Sequence, residues 1–190
     1  MSIQERLKTV DDLWEISHRP GNDYKFFELK DGVIYEVQPP GREHGKTTVR
    51  LISRINVHVE NNDLGEVTTE TAYYVDRSTT QAPDVAFTSK ARMLDASVKG
   101  YVPQMPDLAV EVKSPDNTIK ELREKAEYYL KHGARLVWIV YPVKRTVDEC
   151  TLDNAGKMTF KTLREGDSLD GGEVLLRFKL AIVDIFPDFV

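Results

Sequence analysis

The segment from Leu108 to Val140 constrains the fold more than any other part of the chain. It opens with Leu108-Ala109-Val110-Glu111-Val112-Lys113, an apolar run with the length and β-branched content of a strand. A helix should follow. Thr118 and Glu121 have capping-box spacing, Ile119, Leu122, Ala126 and Tyr129 recur as an apolar stripe, and Gly133 fits the C-terminal stop. Leu136 to Val140 is then continuously apolar, as a strand covered on both faces requires. A strand, a helix and a second buried strand in this order predict a parallel pair joined by a right-handed crossover.

The flanking sequence adds strands and helices around that unit. Thr9-Val10-Asp11-Asp12 with Leu13 and Ile16 predicts a short helix ended by Pro20-Gly21. Phe26 to Leu29 and Val33 to Val37 flank Lys30-Asp31-Gly32, a hairpin pattern in which Gly supplies a positive φ. After Pro39-Pro40-Gly41, the spacing of Val49, Ile52, Ile55 and Val59 predicts a long amphipathic helix over Glu43 to Glu60. Strands are expected at Glu66 to Val75 and Asp84 to Phe87. A second hairpin is expected from Val147 to Leu163 around Asp153-Asn154-Ala155-Gly156, and Leu180 to Phe186 should close over the core. The fold class is α/β, a mixed sheet flanked by helices with additional β-hairpins.

Length and composition set the frame for that reading. The 190 residues, 41% hydrophobic and 30% charged, suit one domain over 1–190, with a core at about 24–145 and a C-terminal hairpin and tail at 146–190. Cys150 is the only cysteine, which excludes an intramolecular disulfide and a Cys-rich zinc site and fits a reducing cytoplasm. A buried, inert thiol is the expected state of this residue. The longest apolar stretch, Leu136 to Tyr141, is far short of a membrane span, and the polar start MSIQERLKTVDD lacks a signal-peptide core. A cytoplasmic protein with no membrane partner is expected. The net charge of -5 does not announce a nucleic-acid binder, although local basic patches rather than the total meet phosphates.

Strand alternation brings chemistry onto one face. Leu108, Val110 and Val112 share one side of their strand; Asp107, Ala109, Glu111 and Lys113 share the other. In Asp84-Val85-Ala86-Phe87 the apolar pair Val85 and Phe87 leaves Asp84 on the opposite side. If the two strands are neighbours, Asp84 and Glu111 meet across the pair. Two close carboxylates repel unless a cation intervenes, and Mg2+ binds through one or two carboxylates while keeping several waters. A lysine beside them can orient an attacking water and offset charge developing on a phosphate. Glu-x-Lys alone is commonplace and reads equally as a surface ion pair. Its place in an apolar strand, with Pro83-Asp84 upstream and a capped helix downstream, favours a metal site.

These segments resemble the Uma-type family, assigned to restriction endonucleases within the PD-(D/E)xK nuclease superfamily. The matching residues are Glu28-Leu29-Lys30-Asp31-Gly32, Glu43-His44-Gly45, Pro83-Asp84-Val85-Ala86 and Pro106 through Pro115. Lys125, Tyr129, Gly133, Trp138 and the tail Gly172 to Phe186 continue the match, so the resemblance covers about Tyr24 to Phe186. It implies a restriction-endonuclease-like core, Mg2+ (or Mn2+) dependence and DNA as substrate. It also implies Asp84 and Glu111 as metal ligands, the Val112 carbonyl as a third, and Lys113 as the catalytic lysine. Many family members read Glu-Val-Leu-Ser at this place, whereas this chain has the complete Glu-x-Lys. Tyr141 departs from the family, which often has an aspartate before the proline.

Other candidates are less specific. Glu28 reads equally as an exposed hairpin carboxylate, and the resemblance assigns it to the metal site or to water positioning. His44 begins the long helix and fits a capping or packing role, or a contact with a phosphate at the site's edge. Lys125 reads as a solvated helix charge or as a cation reaching back to the carboxylates. Lys120, Arg123, Lys131 and His132 add local basic content, diluted by Glu121, Glu124 and Glu127. The leading expectation is a Mg2+-dependent endonuclease hydrolysing DNA phosphodiesters, with a homodimer expected by analogy with enzymes that cut two strands. The alternative is a catalytically silent dimeric nucleic-acid- or protein-binding module that keeps the fold. A hydrolase of small phosphate substrates ranks last, because no Gly-rich nucleotide loop is present.

Overall fold

The computed structural model describes residues 7–94 and 100–186. Six strands form the central sheet in the order β3 (Gly65–Thr68), β4 (Val85–Ser89), β5 (Leu108–Val112), β6 (Leu136–Tyr141), β7 (Thr146–Leu152), β8 (Met158–Leu163). Only β5 and β6 are parallel, with Val112 opposite Val140, as the strand-helix-strand segment predicts. The other neighbours in the sheet are antiparallel. Between β5 and β6 runs α3 (Ile119–Lys131), and its predicted cap is present: Thr118 Oγ1 accepts from the Glu121 N–H, and Glu121 returns a bond to the Thr118 N–H.

Two apolar layers sandwich the sheet, and they follow the strand alternation. Leu108, Val110 and Val112 pack against Leu51, Ile55 and Val59 of α2 (Arg42–Asn61), together with Phe178, Ile182 and Phe186 from the C-terminal segment. Ala86 and Ala109 face the other way, against Leu122, Ala126 and Tyr129 of α3. Small alanines at these two positions bring the helix close to the sheet. Each buried leucine or isoleucine contributes roughly 1.5–3 kcal/mol, so the alternation largely sets which face meets which helix.

The hairpin β1 (Phe26–Lys30) and β2 (Val33–Val37) lies outside this sheet. Its turn residues Asp31 and Gly32 have φ of 50° and 76°, the two positive angles of a type I′ turn. Phe27 and Leu29 pack with Val10 and Leu13 of α1 (Val10–Ser17), and the Thr80 N–H donates to the Leu29 carbonyl. That packing leaves Glu28 on the opposite face. A second small sheet pairs β9 (Ser168–Asp170) with β10 (Lys179–Ala181).

The strand expected over Glu66 to Val75 is shorter. It stops at Thr68, because Glu70 takes a φ of 50°, from which a ladder cannot continue, and Tyr73 instead bridges to Gln81 and Val102. Cys150 is buried in β7 and its thiol is pushed up to about 12, chiefly by burial, as expected of an inert residue. Among the described residues no helix is long and apolar enough to cross a membrane.

Candidate active site

The antiparallel register of β4 and β5 sets Val85 against Val110, and one step further sets Asp84 across from Glu111. Asp84 lies just before its strand, and both its oxygens are engaged. Oδ2 accepts the Val112 N–H at 2.6 Å, and Oδ1 lies 3.1 Å from Nε2 of His44. The first bond uses a backbone donor at the end of β5, so the Asp84 side chain is tied to the strand that carries Glu111. The second comes from the first turn of α2, where Pro39-Pro40-Gly41 directs the chain into the helix and His44 is buried.

Glu111 is strongly perturbed by its surroundings. Its side chain is 7% exposed, and Oε1 accepts from the Tyr129 hydroxyl at 2.6 Å. Burial pushes its carboxyl up to about 7; the Lys125 ammonium opposes this shift, and the charges of Asp84 and Glu28 add to it. Lys125 lies between two acids, with Nζ 3.2 Å from Glu28 Oε1 and 3.9 Å from Glu111 Oε2. The negative charge of Glu111 is the main reason that the Lys125 pKa is raised despite burial. His44 is also raised. Burial lowers it, but the hydrogen bond to Asp84 and the charges of Asp84, Glu111 and Glu70 outweigh that effect.

Five of the residues singled out in the sequence therefore converge: Glu28, His44, Asp84, Glu111 and Lys125. Val112 enters through its backbone N–H. Lys113 does not join them. Its Nζ donates to the Ser114 carbonyl at 2.8 Å, and it makes no ion pair among the described residues. The cation beside the carboxylates is Lys125, one helical turn before Tyr129. Tyr129 itself reads in the sequence as part of an apolar stripe. Its ring does pack in the core, while its hydroxyl reaches Glu111. A tyrosine four residues after a lysine, on the face turned toward a Glu-bearing strand, is the signal that could have found it.

The basic content of α3 is largely matched locally. Lys120 pairs with Glu124 at 3.7 Å, Lys131 with Glu127 at 2.6 Å, and Arg123 with Asp148 at 3.4 Å.

Three acids, Glu28, Asp84 and Glu111, face the Lys125 ammonium and the His44 imidazole, so the carboxylates still outnumber the cationic groups. Among the described residues no three His, Cys, Asp or Glu side chains are gathered closely enough to enclose a metal. Two carboxylates alone suit Mg2+, which retains waters for its remaining positions, and suit zinc poorly. A buried carboxyl near neutrality beside a second carboxylate fits a hard divalent ion at this place.

The architecture is similar to that of a crystal structure from Anabaena variabilis, described as a "putative nuclease belonging to DUF820". The TM-score is 0.79 at 18% identity, over 93% of this chain and 96% of that one. No curated protein matches the sequence. A family model described as "Putative restriction endonuclease" matches residues 14–183, and the chain belongs to that family, Uma2.

Proposed function

We propose that this chain is a divalent-metal-dependent endonuclease that hydrolyses DNA phosphodiesters. The observation that carries the reading is the pairing of Asp84 with the buried Glu111 across β4 and β5, tied by the 2.6 Å bond from the Val112 N–H to Asp84. Asp84 and Glu111 would hold Mg2+ or Mn2+, with the Val112 carbonyl as a further ligand. Such an ion supplies Lewis-acid charge to the phosphate and lowers the pKa of the attacking water.

The chain's own residues do the rest. The Tyr129 hydroxyl and the Lys125 ammonium keep Glu111 oriented and favour its ionised form. His44 holds Asp84 from the other side. Lys113 follows Glu111 by two residues on the same strand face, so its ammonium is the group assigned to orient the attacking water and offset charge on the phosphate. Glu28, held by Lys125, would position that water. Cutting both strands of a duplex needs two such sites, which makes a homodimer part of this reading.

Calorimetric titration of Mg2+ and Mn2+ into wild type, Asp84→Asn and Glu111→Gln, followed by cleavage assays on several DNA forms, tests it. Binding and cleavage are expected in the wild type only. A wild-type chain that binds neither ion sinks the proposal. One observation favours a second reading, a non-cleaving module that keeps the fold: Lys113 is turned to the Ser114 carbonyl rather than toward the carboxylates. Metal binding without cleavage of any DNA form would be its result.

A further inference from the structure

Arg123 and Lys125 lie about 200° apart around α3 at 3.6 residues per turn, so they serve opposite flanks of the helix. Lys125 meets the carboxylates of the candidate active site. Arg123 points to β7, where a separate cavity of about 250 Å3 opens, lined among others by Tyr141, Lys144, Asp148, Thr162 and Arg164. Its only carboxylate, Asp148, is buried and already supplied with donors. Tyr141 donates at 3.0 Å, Thr162 at 2.6 Å, and Arg123 Nη2 at 3.4 Å.

The positive charge in this cavity exceeds what Asp148 can compensate. Lys144 and Arg164 have no carboxylate partner within ion-pair distance among the described residues; the Lys144 ammonium only overlooks the Tyr141 ring at 5.8 Å. The Arg123 guanidinium carbon lies over the Phe160 ring, 4.2 Å from its centroid, and Nε is buried without a hydrogen-bond partner. Three cations thus come from three separate elements: α3, the β6–β7 turn and the end of β8. All three line a cavity whose one acid is already neutralised, leaving two positive charges over. Buried donors without partners are uncommon in folded proteins and mark a place for an acceptor.

We propose that this cavity is a phosphate-binding site distinct from the Asp84–Glu111 pair. Two guanidinium groups and an ammonium lining one small space suit a compact oxyanion. The volume lies below the roughly 300–1,000 Å3 of sites for larger organic ligands. Two sources can deliver the phosphate. Val112 is paired with Val140 in the parallel register, so Tyr141 stands level with Lys113, and the cavity opens at the same strand ends as the carboxylates. A phosphate of the cleaved DNA strand could reach it there, a source that rests on the nuclease reading. The other source is a free phosphate monoester or inorganic phosphate, which needs no nuclease activity.

The test uses the full chain and the double variant Lys144→Ala/Arg164→Ala. Both positions are exposed, so the fold should persist, and thermal melting checks this. In the first arm, inorganic phosphate is titrated at constant ionic strength in chloride. Saturable binding is expected in the wild type and at least tenfold weaker binding in the variant. In the second arm, affinity for a short duplex is measured in Ca2+ across 50–200 mM salt, as about that range exposes the counterion term. A strand phosphate in the cavity lowers the variant's slope of log K against log salt by roughly one to two. Phosphate binding lost with an unchanged DNA slope assigns the site to a free phosphate. Equal phosphate binding in the two proteins, or none in either, together with an unchanged DNA slope, overturns the proposal. The nuclease reading stands or falls separately, on cleavage by the wild type and its loss in Glu111→Gln, which leaves this cavity intact.

Discussion

Tyr129 donates its hydroxyl to Glu111 Oε1 at 2.6 Å, so the helix after β5 reaches back to hold the carboxylate that β5 carries. The bond is buried, and burial is what drives the Glu111 carboxyl up to about 7. Tyr129→Phe removes the donor without opening much space. At pH 8, where Glu111 ionises, the metal-free variant should lose about 1–3 kcal/mol of stability. Metal affinity should weaken by roughly tenfold, the scale on which residues supporting a ligand act. Chemical denaturation and calorimetric titration read the two effects; unchanged values in both would show that the hydroxyl does not support Glu111.

The two lysines should separate by what they affect. Lys125 bridges Glu28 and Glu111, so Lys125→Met leaves a buried acid without its cation and should cost about 1–3 kcal/mol in the metal-free chain. Among the described residues Lys113 hydrogen-bonds through its side chain to the Ser114 carbonyl alone, and Lys113→Met should change stability by no more than about 0.5 kcal/mol. Cleavage should nevertheless fall roughly 100- to 1,000-fold in Lys113→Met, on the scale of a lost transition-state donor. Wild-type cleavage by Lys113→Met, with loss in Lys125→Met, would move the catalytic ammonium to Lys125.

Asp107 ties the start of β5 to its surroundings. It is buried just before β5 and accepts from the Ser89 N–H at 2.8 Å and from Arg92 at 3.0 Å. Burial works against its charge, but these bonds prevail and hold its pKa below the usual 3.8. A depressed carboxyl stabilises the fold above its unfolded pKa and loses that contribution as pH falls through the folded value. Asp107→Asn should therefore cost about 2–4 kcal/mol at neutral pH, with the gap to wild type closing below about pH 4. Denaturant titrations at several pH values measure it.

Gly65 opens β3 with a φ of 155°, and a Cβ there would stand 2.0 Å from the Thr88 carbonyl oxygen. The contact is with backbone and cannot be relieved by a side-chain rotation. Gly65→Ala should cost about 2–3 kcal/mol by forcing β3 away from β4. Hydrogen exchange should show the loss first at the paired residues Glu66 to Thr68.

What the sequence determined by itself was local and periodic. The alternation in Leu108–Val112 announced which side chains share a face, because a one-residue shift would turn every side chain to the opposite layer; which helix covers each face came from the packing. Thr118 and Glu121 announced the start of α3, since a capping box uses only backbone and side chains a turn apart. The spacing of Val49, Ile52, Ile55 and Val59 announced α2, although Val49 is exposed and Leu51 takes its place on the buried face. Contacts between distant segments were decided only by tertiary structure. Nothing near Glu28 in the chain indicates Lys125, and nothing near His44 indicates Asp84; these pairs exist because the hairpin brings Glu28 to α3 and α2 packs on the sheet. The same packing orients Lys113 and Lys125. Strand alternation assigns a lysine to a face but not to a partner, and here the ammonium nearest the carboxylates comes from α3. The bond between Tyr129 and Glu111 joins both kinds of information: the helix and the strand are legible in sequence, while the bond between them depends on how closely Ala86 and Ala109 let α3 approach the sheet.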